Sequence, residues 1–385
     1  MSGPQDFESA VQDADTSVVD FDHRRGFLSR LQHALHTTPS LVPLVVLIGA
    51  LILFGTLLGE RFFSPSTLTL ILQQVQIVGI LAAAQTLIIL TAGIDLSVGA
   101  IAVFCSVIMG QFTFRYGIPP TAAIFCGLAM GTAIGAISGW LVSRVKLPPF
   151  IVTLGMWQIV LAANYLYSRN ETIRSQDLAA DAPMLQWMGV RLNRQIVDGI
   201  EAMRGLEYAN GRRPSDTSQP ILDFLYQVNI TYGVLVMVAL VLILAYCLRS
   251  TAWGRHVYAV GDDPEAAELA GVNRHRTLMS VYMLAGFICA LAGWVMIGRF
   301  GAVTPSASTG EVGNIQSITA VVIGGISLFG GRGSIFGAFF GALIVGVFEL
   351  GLRMSGADPQ WTLLLIGVLI ISAVAVDQWI RKVLT

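Results

Sequence analysis

A few polar side chains interrupt long apolar stretches of this sequence, and their types and spacing could do chemistry. They are Gln73, Gln76, Asp95, Ser97, Asn314, Ser317 and Ser327. Gln73 and Gln76 are three residues apart, as are Asn314 and Ser317, so each pair shares one face of a helix. Uncharged amides and hydroxyls hydrogen-bond well to a neutral, hydroxyl-rich ligand such as a sugar, but they also join neighbouring helices. The residue types leave both roles open.

Asp95 and Ser327 occupy the same position in two glycine-interrupted segments. Residues 93–99 read Gly-Ile-Asp-Leu-Ser-Val-Gly and residues 325–331 read Gly-Ile-Ser-Leu-Phe-Gly-Gly. Matching interrupted segments in two halves of a membrane protein are typical of a transport path, because irregular backbone at membrane depth must be buried or line a wet cavity. The Asp95 carboxylate either faces such a cavity or caps a helix beginning at Leu96. We predict that the seven polar residues belong to a translocation pathway or gate.

The elements that carry these residues are membrane helices. The chain is 54% apolar and 12% charged, whereas a soluble domain has about 25% charged residues. A bilayer core of about 30 Å needs about 20 apolar helical residues, and the uncharged stretches predict about ten crossings, give or take one: 41–59, 62–94, 96–114, 116–143, 147–168, 224–248, 277–298, 312–331, 333–348 and 359–376. The predicted fold class is an all-α polytopic membrane protein with two pseudo-repeated halves.

The distribution of Lys and Arg predicts the orientation of these crossings. Positive charge marks short cytoplasmic loops, and with ten crossings it favours both termini on the cytoplasmic side. Residues 1–40 then form a cytoplasmic tail before a membrane domain at 41–385. Within that domain, 169–223 is a long outer loop and 249–276 is an inner loop.

The inner loop contains a predicted short helix between two membrane spans. Asp262 or Asp263, followed by Pro264, is a helix start, and Gly271 is a helix stop. Glu265 and the residues up to Ala270 are good helix formers. A short helix held in this way is suited to a groove on a partner.

Several function classes are excluded or disfavoured by what the chain contains. The net charge of −1 provides no basic field for nucleic acid, and the four cysteines lie in apolar runs, which argues against disulfides or a zinc site. The two lysines do not follow phosphate-loop spacing, and no convergent nucleophile, base or metal-ligand set is visible. We expect no cofactor, no metal and no enzymatic activity. Glu349 and Arg353, four residues apart, are predicted to form a structural ion pair.

Four stretches resemble the permease subunits of ribose/xylose/fructose-type ABC sugar importers. They are Leu-Thr-Ala-Gly-Ile-Asp-Leu-Ser-Val-Gly at 90–99, Leu-Pro-Pro-Phe-Ile-Val-Thr-Leu-Gly-Met at 147–156, Gly-Arg-His-Val-Tyr-Ala-Val-Gly-Asp-Asp-Pro-Glu-Ala-Ala at 254–267, and Ile-Thr-Ala-Val-Val-Ile-Gly-Gly-Ile-Ser-Leu-Phe-Gly-Gly-Arg-Gly-Ser at 318–334. The stretches 111–117 and 170–177 are most similar to the fructose permeases of rhizobial-type bacteria. Residues 190–220 are extra relative to the usual family member.

The resemblance implies a bacterial inner-membrane permease that imports a monosaccharide, with fructose first and ribose or mannose as alternatives. It implies a permease homodimer, separate ATPase subunits that hydrolyse ATP, and a periplasmic sugar-binding protein. The residues it assigns to ATPase coupling are Arg255, Asp263, Glu265, Ala266, Ala267 and Gly271. The alternative class is an ion-coupled secondary sugar carrier, in which Asp95 would be the leading coupling group.

Overall fold

The computed structural model describes residues 41–193, 197–202, 227–228 and 230–358, with scattered positions between 360 and 375. The predicted tail at 1–40, most of the extra segment at 190–220 and much of the last predicted crossing lie outside the described residues.

The described part of the chain is helical apart from turns and two isolated β-bridges. The long helices and the short helices between them are α1 (Leu41–Leu58), α2 (Pro65–Leu90), α3 (Val98–Tyr116), α4 (Pro120–Ser143), α5 (Pro149–Ser168), α6 (Ser175–Asp181), α7 (Tyr232–Ser250), α8 (Ala252–Asp262), α9 (Pro264–Leu269), α10 (Arg274–Phe300), α11 (Ala307–Ile323) and α12 (Ile335–Met354). Short 3-10 turns occupy Gly59–Arg61 and Pro183–Gly189. The predicted all-α class is confirmed.

Eight of the described helices are long and apolar enough to span a membrane. The stretch 62–94 contains one 26-residue helix, α2, whose N-terminus is capped by Ser64 and carries Pro65 at its first position. The stretch 312–331 contains the end of α11, a 17-residue helix that stops at Ile323. The predicted count of ten crossings stays a prediction, because the last stretch is only partly described.

Helices α4 and α10 pack closely along a stripe of glycines. Gly127, Gly131, Gly135 and Gly139 recur every four residues on one face of α4. A Cβ at Gly131 would lie 2.7 Å from the Cβ of Ala290, and one at Gly139 would lie 2.9 Å from the Cβ of Tyr282. Small residues let helix backbones approach in this way, so this stripe is structural.

The loops separate into two groups at opposite ends of the helices. At one end, the turns after α2 and α11 contact α8. At the other end, Ile173 bridges to Val303 and Arg191 bridges to Thr231. We name these the inner and outer ends after the predicted orientation, because each group contains the loops that the charge pattern assigns to one side.

Candidate functional site

The two interrupted segments begin with helix ends of the same kind. After α2, Ala92 has φ 60° and Gly93 N donates to the carbonyl five residues earlier at 3.1 Å. After α11, Gly325 has φ 72° and Ile326 N donates to the carbonyl five residues earlier at 3.3 Å. A left-handed residue followed by this hydrogen bond closes a helix and satisfies its last carbonyls. The sequence repeat therefore corresponds to a repeat in backbone structure.

The variable polar position of the repeat stabilises its own turn in both copies. Asp95 Oδ1 accepts hydrogen bonds from Ser97 N at 2.6 Å and from Ser97 Oγ at 2.5 Å. Ser327 Oγ accepts from Phe329 N at 3.2 Å. Short polar side chains commonly form such turns with the backbone two residues ahead. Of the two alternatives for Asp95, the cap of a helix that begins at Leu96 is wrong, since α3 begins at Val98 with Ser97 at its N-cap position, and Asp95 supports the turn before it.

Neighbouring helices hold the first interrupted segment in place. Asp95 is 3% exposed, and the side-chain amide of Gln85 pairs with its backbone C=O and N–H at 3.0 and 3.2 Å. Thr153 of α5 donates to the carbonyl of Ile94 at 3.0 Å. Non-helical backbone in a membrane protein needs partners of this kind.

Leu90 at the end of α2, just before the first interrupted segment, and Gly331 at the end of the second segment meet α8 at the inner end, in a contact that we call the inner junction. Gly331 N donates to Leu90 O at 3.0 Å. Gly261 of α8 lies against both groups, and a Cβ there would overlap Leu90 O and lie 2.8 Å from Gly331 N. Tyr258 Oη donates to Gly333 O at 2.9 Å. Burial raises the pKa of the Tyr258 hydroxyl, which keeps it protonated as a donor.

Helix α9 follows the inner junction and has well-defined ends. Asp263 Oδ1 accepts from Glu265 N and Ala266 N at 3.0 Å each, so Asp263 rather than Asp262 is the N-cap. Gly271 has φ 85° and follows the helix, as the sequence predicts. A capped helix of six residues is held in one orientation despite its length.

Most of the predicted coupling residues lie on the surface of α8, α9 and the turn that follows. The exposed ones are Arg255, Asp263, Glu265, Ala266 and Gly271. Ala267 is 4% exposed and packs in the core, so it supports α9 from beneath. Leu269 is 91% exposed, which the sequence analysis did not single out. An exposed leucine on a rigid helix is suited to a partner surface.

Asn314 of α11 joins the first interrupted segment to the outer half of the protein. Its Nδ2 donates to Leu96 O, and its Oδ1 accepts from Gly99 N at 2.6 Å. Asn314 is 6% exposed. We call this pair of hydrogen bonds the Asn314 latch. The latch connects the start of α3 to α11, and residues 91–97 connect the latch to the inner junction.

Beside the latch lies a cavity of about 420 Å³, which we call the outer pocket. Its lining includes Gly99 and Gly313 and a set of polar residues from four helices: Gln74, Arg299, Ser308, Thr309, Gln316, Glu349 and Arg353. Arg353 donates to Glu349 Oε1 at 3.0 Å, and Gln316 Nε2 donates to Glu349 Oε2 at 3.4 Å. The predicted Glu349–Arg353 ion pair is confirmed, and it lines a pocket. This volume lies within the range of about 300–1,000 Å³ that is usual for small-molecule sites.

The seven predicted pathway residues are buried side chains that do not line the outer pocket. They are Gln73, Gln76, Asp95, Ser97, Asn314, Ser317 and Ser327. Gln76 Oε1 accepts from Thr231 Oγ1 at 3.1 Å, so it joins α2 to the start of α7. Ser317 Oγ donates to Asn314 O within its own helix at 2.9 Å. For Gln76 the structure favours the helix-joining role, whereas the Ser317 hydrogen bond stays within α11.

Two pocket residues, Gln74 and Gln316, belong to the polar clusters of the sequence but not to the predicted pathway set. Gln74 and Gln316 lie one or two positions from Gln73, Gln76, Asn314 and Ser317. One residue along a helix turns the side chain by about 100°, so adjacent positions face different surroundings. In the sequence, the polar residues of α2 and α11 are visible as a group. Helix packing alone shows which of them face the cavity.

Comparisons with known proteins agree on one class. Residues 67–374 match the protein family described as branched-chain amino acid transport system / permease component. The chain is 61% identical over 380 residues to a fructose import permease from Rhizobium meliloti, covering 98% of this chain and 96% of that protein. It is 32% identical to a ribose import permease from Escherichia coli K12, covering 88% of this chain and 92% of that protein. It is 31% identical to a xylose transport system permease from the same strain, covering 89% and 92%. No solved structure matches the chain significantly.

Proposed function

The chain belongs to the family of transport-system permease components, and from this premise we propose that it is the membrane-spanning subunit of an ATP-driven monosaccharide importer. The observation that carries the proposal is the 61% identity to a fructose import permease over nearly the whole of both chains. As a permease subunit it is not itself an enzyme, and hydrolysis of ATP belongs to a separate subunit.

Fructose is the first candidate for the substrate, with ribose and mannose as alternatives. The relatives at 61%, 32% and 31% identity are named for fructose, ribose and xylose, whereas the family description names branched-chain amino acids. The sugar assignment is favoured because the named sugar permeases match over nearly their full lengths.

We assign docking of the ATPase to the exposed face of α8 and α9. Glu265, Ala266 and Leu269 are exposed on a capped helix, and α9 follows directly from α8, which contacts both interrupted segments through Gly261 and Tyr258. Movement of α9 on ATP binding would therefore reach the end of α2 and the turn at Gly331 without a flexible linker. Residues 91–97 would carry that movement to the Asn314 latch.

The remaining parts of the proposal concern the assembly. We propose that the permease lies in the bacterial inner membrane with both termini in the cytoplasm. A cytoplasmic tail at residues 1–40 would precede the permease domain at residues 41–385. Two copies would form the pathway, and a periplasmic sugar-binding protein would dock on the outer end, where the described residues 169–193 lie. The buried polar residues around the latch, Asn314 with Asp95 and Ser97, would form the gate between the outer pocket and the inner junction.

The test is uptake of labelled fructose in cells with and without this gene, with ribose, mannose, xylose and leucine as competitors. ATP depletion and collapse of the proton gradient are applied separately. We expect uptake that needs the gene and ATP and survives collapse of the gradient. Competition by leucine rather than by sugars would overturn the substrate class, and uptake that follows the gradient would favour the ion-coupled carrier.

A further inference from the structure

The outer pocket has the chemistry of a site that recognises hydroxyl groups. We propose that it is a monosaccharide half-site in which Glu349, Gln74 and Gln316 read the sugar hydroxyls; this inference rests on the proposed function and specifies its substrate contact. The three residues come from α2, α11 and α12, and all of them line the same cavity of about 420 Å³. Polar side chains converging from separate membrane helices mark a ligand site more strongly than polar residues on one helix.

Glu349 is the central acceptor of this site. Its two carboxylate oxygens each hold one donor, from Arg353 at 3.0 Å and from Gln316 at 3.4 Å. A carboxylate has about four acceptor positions, so each oxygen retains capacity for a ligand hydroxyl. Arg353 and Gln316 fix the orientation of the Glu349 side chain. Because this side chain is 24% exposed, it remains accessible from the cavity.

The donors that a sugar also needs come from the same lining. A hydroxyl both donates and accepts, so its oxygen requires an N–H or O–H partner. Gln74 offers an amide, Arg299 and Arg353 offer guanidinium groups, and Ser308 offers a hydroxyl, whereas the Thr309 hydroxyl already donates to Ser306 Oγ at 3.0 Å. The apolar side chains of Ile77, Val78 and Leu81 line the pocket as well, and they suit the C–H face of a sugar ring.

The charge arrangement disfavours a free amino acid as the ligand. An amino acid needs a carboxylate for its ammonium group and a cation for its own carboxylate. Glu349 is the acidic residue in the lining, and Arg353 already neutralises it. A neutral polyol uses the remaining hydrogen-bonding capacity without breaking this ion pair. The described lining holds two arginines, Arg299 and Arg353, beside this one acid, so it offers no spare carboxylate for the ammonium group of an amino acid.

The outer pocket lies directly beside the proposed gate at the Asn314 latch. Gly99 and Gly313 are part of the lining, and Gly99 N is bound by the Asn314 latch at 2.6 Å. A sugar in the pocket would lie next to the first residues of α3, whose position the latch controls. Side chains larger than hydrogen at Gly99 would meet the backbone of Gly310, so the helices approach closely at this wall.

The experiment measures sugar selectivity in proteoliposomes that contain the permease, its ATPase and saturating binding protein. Wild type, Glu349→Gln, Gln74→Ala and Glu171→Gln are compared with fructose and a series of fructose analogues that each lack one hydroxyl. Glu171→Gln is the matched control, because it also removes a carboxylate paired with an arginine, at 3.4 Å from Arg115, on the outer side. Membrane abundance is equalised by immunoblot.

We expect the wild type to transport one of the analogues about tenfold more slowly than fructose, as for one lost hydrogen bond to a charged group. Glu349→Gln keeps one neutral acceptor oxygen and removes the charge, so it should reduce that discrimination to about threefold and leave transport of that analogue nearly unchanged, while Glu171→Gln keeps the wild-type ratio. If Glu349→Gln is inactive, Gln74→Ala takes its place. A ratio of fructose to analogue transport that differs from the wild-type ratio in Gln74→Ala then supports the half-site.

If every active variant loses the same fraction of its transport rate for all sugars, so that the fructose-to-analogue ratios are unchanged, the half-site is overturned. The importer assignment is unaffected by that result. The importer assignment itself fails on a different result, which is the absence of ATP-dependent monosaccharide uptake by the wild type.

Discussion

The inner junction makes a sharp prediction at Gly261. A Cβ at this position would lie 2.8 Å from Gly331 N and would overlap Leu90 O, whereas favourable contacts lie at about 3.5–4.0 Å. Relief of both contacts in Gly261→Ala therefore needs a displacement of α8 from Leu90 and Gly331 of about 2 Å. Overpacking of this kind costs about 1–3 kcal/mol.

The strain exists in the state where the three segments touch, and it is relieved when they separate. A difference of about 1–3 kcal/mol between two states shifts their equilibrium by about 5- to 150-fold. We expect ATP-driven sugar uptake to fall at least fivefold in Gly261→Ala. ATPase co-purification should persist, because the exposed face of α9 is unchanged.

The control is Gly155→Ala on α5, where a Cβ would have no heavy atom within 4 Å. The same substitution at an exposed helical site stabilises by about 0.5–1 kcal/mol, so uptake should stay at the wild-type level. The assay is uptake in proteoliposomes with the ATPase rate measured in parallel. Wild-type uptake by Gly261→Ala at equal abundance would refute the proposed transmission through the junction.

Three further substitutions test the gate and the coupling surface. Asp95→Asn keeps the acceptor for Ser97, so ATP-driven uptake should persist within about twofold, whereas loss of uptake with normal abundance would favour proton coupling at this site. Glu265→Lys should reduce co-purification of the ATPase subunit and uptake together, whereas Glu171→Lys at the outer end should leave co-purification at the wild-type level; intact docking and uptake would remove Glu265 from the coupling surface. Asn314→Ala leaves Gly99 N and Leu96 O without partners, so we expect thermal unfolding in detergent to show a loss of at least about 2 kcal/mol, and an unchanged melting temperature would contradict the latch.

Helix positions were largely predictable because a membrane span needs a long uncharged segment. The predicted stretch 41–59 corresponds to Leu41–Leu58, and 147–168 corresponds to Pro149–Ser168. The short helix between Asp263 and Gly271 was predictable because its cap, its proline and its terminal glycine act through local backbone chemistry. The glycine-interrupted repeat was visible as a letter pattern, and its shared turn structure follows from the same local rules.

The assignment of polar residues to faces was not predictable in the same way. Gln76 packs against Thr231, 155 positions along the chain, while Gln74 lines the outer pocket with Glu349. Both are glutamines on one apolar helix, so residue type does not separate them. The choice depends on which neighbouring helix covers each face.

The sequence by itself therefore determined the membrane class, the helix positions, the capped inner helix and the repeated turn, because each depends on composition or on contacts within a few residues. Only the tertiary structure decided that Leu90 and Gly331 both meet Gly261, that Asn314 binds the start of α3, and that Glu349 faces a pocket. Those contacts join residues more than 200 positions apart in the case of Asn314. They arise from helix packing, which no local pattern of residues encodes.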